Sequence, residues 1–142
     1  MNVMSYANPS NEAIADILKA AKTIAVVGLS DKPDRTSHMV AAAMQARGYR
    51  IIPVNPMVNG EILGETCYPS IKDVPVPIDI VNVFRRSEQV LPVAEETVAV
   101  GAKCFWLQQE IYNEQAADLV EQNGITAIMN LCIKVAHAVL IR

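Results

Sequence analysis

The sequence predicts an α/β three-layer sandwich, in which a five-stranded parallel sheet carries helices on both faces. Three observations predict it. Five short apolar runs alternate with helical stretches along the chain. The runs are continuous and rich in Val and Ile, the pattern of strands buried on both faces rather than one. The turn from the first run into the next helix opens on glycine and is polar, as ligand-facing turns of such sheets are. Successive βαβ units join by right-handed crossovers, which gives a Rossmann-like sheet with expected order 3-2-1-4-5.

The first strand is read at Thr23–Gly28, the second at Tyr49–Val54 and the third at Asp79–Phe84. The fourth is read at Lys103–Leu107 and the fifth at Ile125–Asn130. Ser10 can cap a helix running to Lys22, with Ile14, Ile17, Leu18 and Ala21 on one face. A second helix, Ser37–Arg47, ends at Gly48, and a third, Pro92–Val100, ends at Gly101. Asn113 caps a fourth helix that ends before Gly124. Cys132, Val135, Ala136, Val139 and Leu140 repeat at helical spacing and close the chain with a fifth. Residues 55–78 break the alternation. Their four prolines and two glycines predict an irregular crossover with short strands or one helical turn near Ile71–Val74.

The 142 residues fit one domain, read as 1–142, long enough for a real core. Hydrophobic residues at 51% against 19% charged exclude intrinsic disorder. A net charge of −3 counts against nucleic acid as the principal partner. The most apolar stretch, 124–141, contains Asn130, Lys134 and His137, which would be stranded in a bilayer, so no membrane association is expected. The amino-terminal stretch has neither a basic n-region nor an apolar h-region, so no leader is expected. Cys67, Cys104 and Cys132 lie far apart, with no metal-ligand spacing. They read as reduced thiols of a cytoplasmic protein, and no metal site is expected.

Function in this fold class collects at the carboxyl ends of the strands. After the first strand comes Gly28-Leu29-Ser30-Asp31-Lys32-Pro33-Asp34-Arg35-Thr36-Ser37. Gly28 permits the tight turn. The helix start offers free N–H groups and the positive end of a dipole, a natural phosphate site. Ser30, Thr36 and Ser37 add hydroxyls, and Lys32 and Arg35 add charge. The dinucleotide fingerprint is broken, since Ser30 and Pro33 stand at its second and third glycines. The second strand ends in Val54-Asn55-Pro56, without the acid that binds a ribose hydroxyl. Both departures argue against NAD, and no GxxxxGK[ST] loop is present for ATP. After the third strand, Phe84, Arg85 and Arg86 offer a ring and two guanidinium groups; paired arginines can meet phosphate bidentately. After the fourth, Trp106 is either core packing or a pocket wall. His38 and His137 have no acid–base partner in the sequence, and His137 reads as lying on the polar side of the last helix. No nucleophile–base motif appears, so no catalytic residue is assigned.

Taken in order, VVGLSDKPDRTSH, GYRIIPVNP, EILGETCYPSI, DIVNVFRR, WLQQEIYNEQA and NLCIKVAH give the chain a family resemblance. It resembles the small stand-alone CoA-binding proteins of bacteria and archaea. These are similar in turn to the N-terminal CoA-binding domain of the succinyl-CoA synthetase alpha subunit. The resemblance spans Glu12 to His137. It implies a Rossmann-like fold holding coenzyme A or an acyl-CoA across the strand ends. The implied phosphate loop falls on Gly28, Ser30, Lys32, Pro33 and Arg35, with Thr36 and Ser37 at the helix start. Further implied contacts fall on Asn55 and Pro56, on Phe84 and Arg85, and on Trp106, Leu107 and Gln108.

The chain departs from the family pattern at Glu110, where glycine often stands, and at Ala136, where an acid usually precedes the histidine. A carboxylate at position 110 is expected either to act as a local brake on CoA affinity or to face solvent at the approach to the Asn113 helix, where its charge favours the helix start. The resulting expectation is a cytoplasmic CoA-binding protein, monomeric or homodimeric, with no catalytic machinery of its own. Two alternatives stand beside it. One is a ligase or acyl-transfer module completed by a protein partner. The other is a CoA-linked redox or regulatory protein using a thiol such as Cys67.

Overall fold

The structure, a computed structural model, describes residues 7–142. The leader expectation rests partly on residues 1–6, which lie outside the described residues. The chain forms β1 (Thr23–Val27), β2 (Arg50–Val54), β3 (Glu61–Ile62), β4 (Glu65–Thr66), β5 (Ile80–Val83), β6 (Cys104–Leu107) and β7 (Thr126–Ile128). Its helices are α1 (Asn11–Ala20), α2 (Thr36–Ala46), α3 (Leu91–Val100), α4 (Glu114–Gln122) and α5 (Ile133–Leu140). The crossover at 55–78 supplies only the β3–β4 hairpin and a 3-10 turn at Ile71–Asp73, as its prolines foretell.

The five strands of the main sheet run parallel in the order β2-β1-β5-β6-β7. Outside β2, Tyr68 makes one parallel bridge to Val54. With that bridge in the outermost place, the arrangement matches the Rossmann-like 3-2-1-4-5 order, and β7 extends the far edge. The proline-rich crossover has shrunk the outermost strand to one residue. The run at Ile80–Val83, third among the apolar runs, consequently lies beside β1. Pro53 fits the edge position of β2. Its carbonyl accepts from Tyr68 N–H at 3.0 Å, so its main chain faces outward and its missing N–H leaves the β1–β2 ladder whole.

Residues of alternate parity feed two cores. Ala25, Val27, Val81, Val83, Phe105 and Leu107 face α3, α4 and the Ile71 turn. Ile24, Val26, Ile51, Ile80, Trp106 and Ile128 face α1, α2 and α5. Burial of each such Ile, Val or Leu side chain contributes about 1.5–3 kcal/mol relative to exposure. Both faces of every central strand are covered, which is why the sequence shows continuous apolar runs.

The amino ends of the strands are held by Asp79. Its Oδ2 accepts the N–H groups of Lys22 at 2.8 Å and Thr23 at 3.1 Å. Its Oδ1 lies 3.5 Å from Lys103 Nζ. Lys22 and Thr23 are thus drawn into the sheet end, and α1 stops at Ala20 rather than reaching Lys22. At the other edge, Asn8 binds the main chain of Met129 through both amide atoms, at 2.7 and 2.8 Å.

The last helix is rotated relative to the sequence reading. Ile133, Ala136 and His137 face inward, whereas Val135 and Val139 are each 53% exposed. His137 therefore lies on the buried side, edge-on to the Tyr49 ring with centroids 5.7 Å apart. Burial, and then the Arg47 charge, lower its pKa and favour the neutral ring.

Candidate functional site

The carboxyl ends of β1, β2 and β5 meet at Gly28. Its N–H donates to the Val54 carbonyl at 2.8 Å, and Phe84 N–H donates to the Val27 carbonyl at 2.8 Å. Gly28 has φ +87°, and a Cβ there would stand 2.3 Å from the Phe84 carbonyl oxygen. Only glycine allows this approach.

The following loop is organised by its own hydroxyls. Ser37 is buried, and its Oγ accepts from Ser30 N–H at 3.0 Å. Ser30 Oγ accepts from Lys32 N–H at 3.1 Å. Lys32, Pro33, Arg35 and Thr36 are exposed along the loop. α2 starts with Arg35 in the N-cap position and no side-chain cap. The first-turn N–H groups of Thr36, Ser37 and His38 therefore receive no capping side chain from Arg35. α1 and α4 differ: Ser10 and Asn113 cap them through side-chain oxygens.

Asn55 joins the second strand end to this loop. Its Nδ2 donates to the Leu29 carbonyl at 3.0 Å, and its Oδ1 accepts from Met57 N–H at 2.9 Å. Pro56 beside it is exposed. On the other side of β1, Phe84 and Arg85 are half-buried and Arg86 is exposed. None of Lys32, Arg35, Arg85 and Arg86 makes an ion pair among the described residues. The structure thus brings the loops after β1, β2 and β5 to one edge and leaves four cations available there.

The loop after β6 is different. Trp106 and Leu107 are 0% exposed, on opposite faces of the sheet. The Trp106 indole N–H donates to the Leu131 carbonyl at 2.8 Å, so its side chain belongs to the core. Gln108 is buried as well. Its Oε1 accepts from Asn82 Nδ2 at 3.1 Å and from Ile133 N–H at 2.9 Å, which satisfies the start of α5. These three side chains hold the sheet and α5 in place beneath the edge. The Asn82–Gln108 pair, the Asn55 bracket and the buried hydroxyl of Ser37 are polar roles that the sequence reading missed. The asparagine directly after an apolar strand and before proline was the available signal for the bracket, since such residues bond to nearby main chain.

Burial disfavours the thiolate at both Cys67 and Cys104. It raises the Cys67 pKa; a main-chain hydrogen bond at Asn55 lowers it in part, and the Asp31 charge raises it again. Burial pushes Cys104 up to about 12. Among the described residues no group of three or more His, Cys, Asp or Glu side chains could hold a metal ion. No helix there is long and apolar enough to cross a membrane.

Fold and edge together define a Rossmann-like α/β protein with a glycine turn, an uncapped helix start and unpaired cations where the strands end. Residues 22–138 match the CoA binding domain family, and the chain belongs to that family. It is 58% identical over 132 residues to the uncharacterized protein YneT of Bacillus subtilis (strain 168), covering 93% of this chain and 97% of YneT. A hypothetical protein from Pyrococcus horikoshii OT3 superposes with a TM-score of 0.90 at 34% identity, covering 98% of this chain and all of that one. The dinucleotide-forming acetyl-coenzyme A synthetase 1 of Ca. Korarchaeum cryptofilum shares the fold. Its TM-score is 0.66 at 23% identity, over 80% of this chain and 27% of the synthetase.

Proposed function

We propose that this protein is a cytoplasmic, single-domain binder of coenzyme A or an acyl-CoA. The carrying observation is the uncapped start of α2 beside Gly28, with Lys32 and Arg35 on its loop and Arg85 and Arg86 on the neighbouring one. CoA carries a diphosphate and a ribose phosphate. The diphosphate meets the first-turn N–H groups of α2, where dipole and hydrogen bonds act together. Lys32 and Arg35 neutralise it, and Arg85 and Arg86 serve the remaining phosphate by charge-assisted bonds. Net charge −3 makes this local concentration of cations necessary for binding a polyanion.

In this reading, Gly28, Ser30, Pro33 and Ser37 shape the phosphate loop, Thr36 adds a hydroxyl, and Asn55 and Pro56 set the wall beside it. Phe84 flanks the ligand through its half-exposed ring. Trp106, Leu107 and Gln108 contribute from beneath as support. In this reading the protein holds its ligand without transforming it.

A second reading, a module completed by a partner chain, draws on the acetyl-coenzyme A synthetase likeness, in which the matched region is 27% of the larger chain. Calorimetry with CoA, acetyl-CoA, NAD and ATP tests the principal reading. CoA or acetyl-CoA is expected to bind at least tenfold tighter than NAD, and equal or tighter NAD binding would overturn it.

A further inference from the structure

We propose that Met57 is the surface against which the adenine ring of the bound ligand packs, a specificity residue that rests on the CoA reading above. Among the described residues it is the most exposed large apolar side chain, at 86%, against 53% for Val135 and Val139. A single exposed apolar side chain is ordinary on a protein surface. Position and anchoring distinguish this one.

Met57 follows β2 by three residues, at its carboxyl end. In sheets of this topology the diphosphate sits at the helix after the first strand, and the nucleoside lies over the end of the second. Met57 stands where the base must lie if α2 holds the diphosphate. Asn55 fixes the relation between the two places. One amide group bonds to Leu29 in the phosphate loop, and the other to the main chain of Met57. The phosphate loop and the methionine are therefore positioned together before any ligand arrives.

Among the described residues that directly follow β2, Met57 is the flexible apolar side chain most fully turned to solvent. Pro56 is rigid, Asn59 is polar, and Val58 is turned partly into the core. Tyr68, the nearest aromatic residue in the topology, packs partly against the opposite core. An unbranched thioether suits the role, since its three rotatable bonds let it follow a flat ring and its sulfur is attracted to aromatic edges.

The test uses the full chain labelled with [methyl-13C]methionine, with the Met57 signal assigned through Met57→Leu. CoA, adenosine 3′,5′-bisphosphate and pantetheine are titrated separately. The Met57 methyl is expected to shift upfield by ring current with CoA and with the bisphosphate, and to stay in place with pantetheine. Met57→Ala should weaken both nucleotide ligands by about 2–10-fold, the range of a thioether–ring contact. Its thermal midpoint should match that of the parent protein. Normal CoA binding with an unmoved Met57 methyl, or with undiminished affinity in Met57→Ala, would overturn the proposal and leave the CoA reading standing. Failure of the parent protein to bind CoA at all would overturn both.

Discussion

Glu110 and Asn130 meet across the carboxyl ends of β6 and β7, and both stand in the left-handed backbone region, with φ of 70° and 57°. Glu110 N–H donates to Asn130 Oδ1 at 2.7 Å, and Asn130 N–H donates to the Ile111 carbonyl at 3.2 Å. Asparagine tolerates this conformation; glutamate adopts it against its steric preference. The glycine that often stands at this position in the resembled family has a backbone reason, independent of any ligand.

Glu110→Gly is accordingly expected to stabilise the protein by about 0.5–1 kcal/mol, the relief of left-handed strain less the extra freedom glycine gives the unfolded chain. Urea unfolding measures it. The electrostatic brake expected from the sequence makes a different demand: CoA affinity should rise in Glu110→Gly and Glu110→Gln alike, more at low salt than at high salt. A stability gain confined to the glycine variant, with CoA affinity unchanged at two ionic strengths, supports the backbone account.

Gly28→Ala tests the junction of three strand ends. The new methyl would stand 2.3 Å from the Phe84 carbonyl oxygen and 3.2 Å from its carbon at a positive φ, and these two tightest contacts are main chain with no room to yield. The expected loss is about 3 kcal/mol, at the severe end for a single substitution. An unfolding midpoint equal to that of the parent would show that the strand ends can separate freely.

The parts of this fold that were legible in the sequence are those set by local chemistry. Continuous Val- and Ile-rich runs gave the strands because burial on both faces removes any polar alternation. Ser10 and Asn113 read correctly as caps because capping involves neighbours three residues away. The rotation of α5 was not legible. Val135 and Val139 fit a helical stripe as well as Ile133, Ala136 and His137 do, and the choice depends on Tyr49, far away in the chain. The edge behaved likewise: glycine and cations marked the phosphate loop, whereas Trp106 and Gln108 acquired buried roles from Leu131, Asn82 and Ile133. The left-handed turn at Glu110 was hidden because its residue type argues against it.

Asp79 sets an acid limit on stability. Burial alone would raise its pKa, but the N–H groups of Lys22 and Thr23 and the Lys103 ammonium outweigh burial and hold it below the ordinary carboxylate value. The folded value lies below the unfolded one, near 3.9 for a free Asp. Between the two the unfolded chain binds more protons, so stability rises with pH. The contribution is full above about pH 4 and is lost as pH falls through the depressed folded value. Asp79→Asn should lower stability at pH 7 by about 1 kcal/mol, the difference between charged and neutral hydrogen bonds. It should also flatten the fall of stability below pH 4. An equally steep acid limb in the variant would assign that limb to other carboxylates.

Arg35 and Arg85 approach the ligand edge from different loops, one exposed at the start of α2 and one half-buried after β5. If the proposed site is correct, each meets a CoA phosphate by a charge-assisted bond. Arg35→Ala and Arg85→Ala should then weaken CoA binding by about 1.5–3 kcal/mol apiece. Neither should unfold the protein, because neither joins either apolar core. Lysine replacements separate charge from geometry: a bidentate guanidinium contact is lost in Arg→Lys, whereas a long-range charge effect survives it. Salt adds a further check, since screening should diminish the penalty of an exposed Arg35 more than that of a half-buried Arg85. Calorimetry on the four variants at two ionic strengths decides the matter, and normal CoA affinity in both alanine variants would place the ligand elsewhere on the protein.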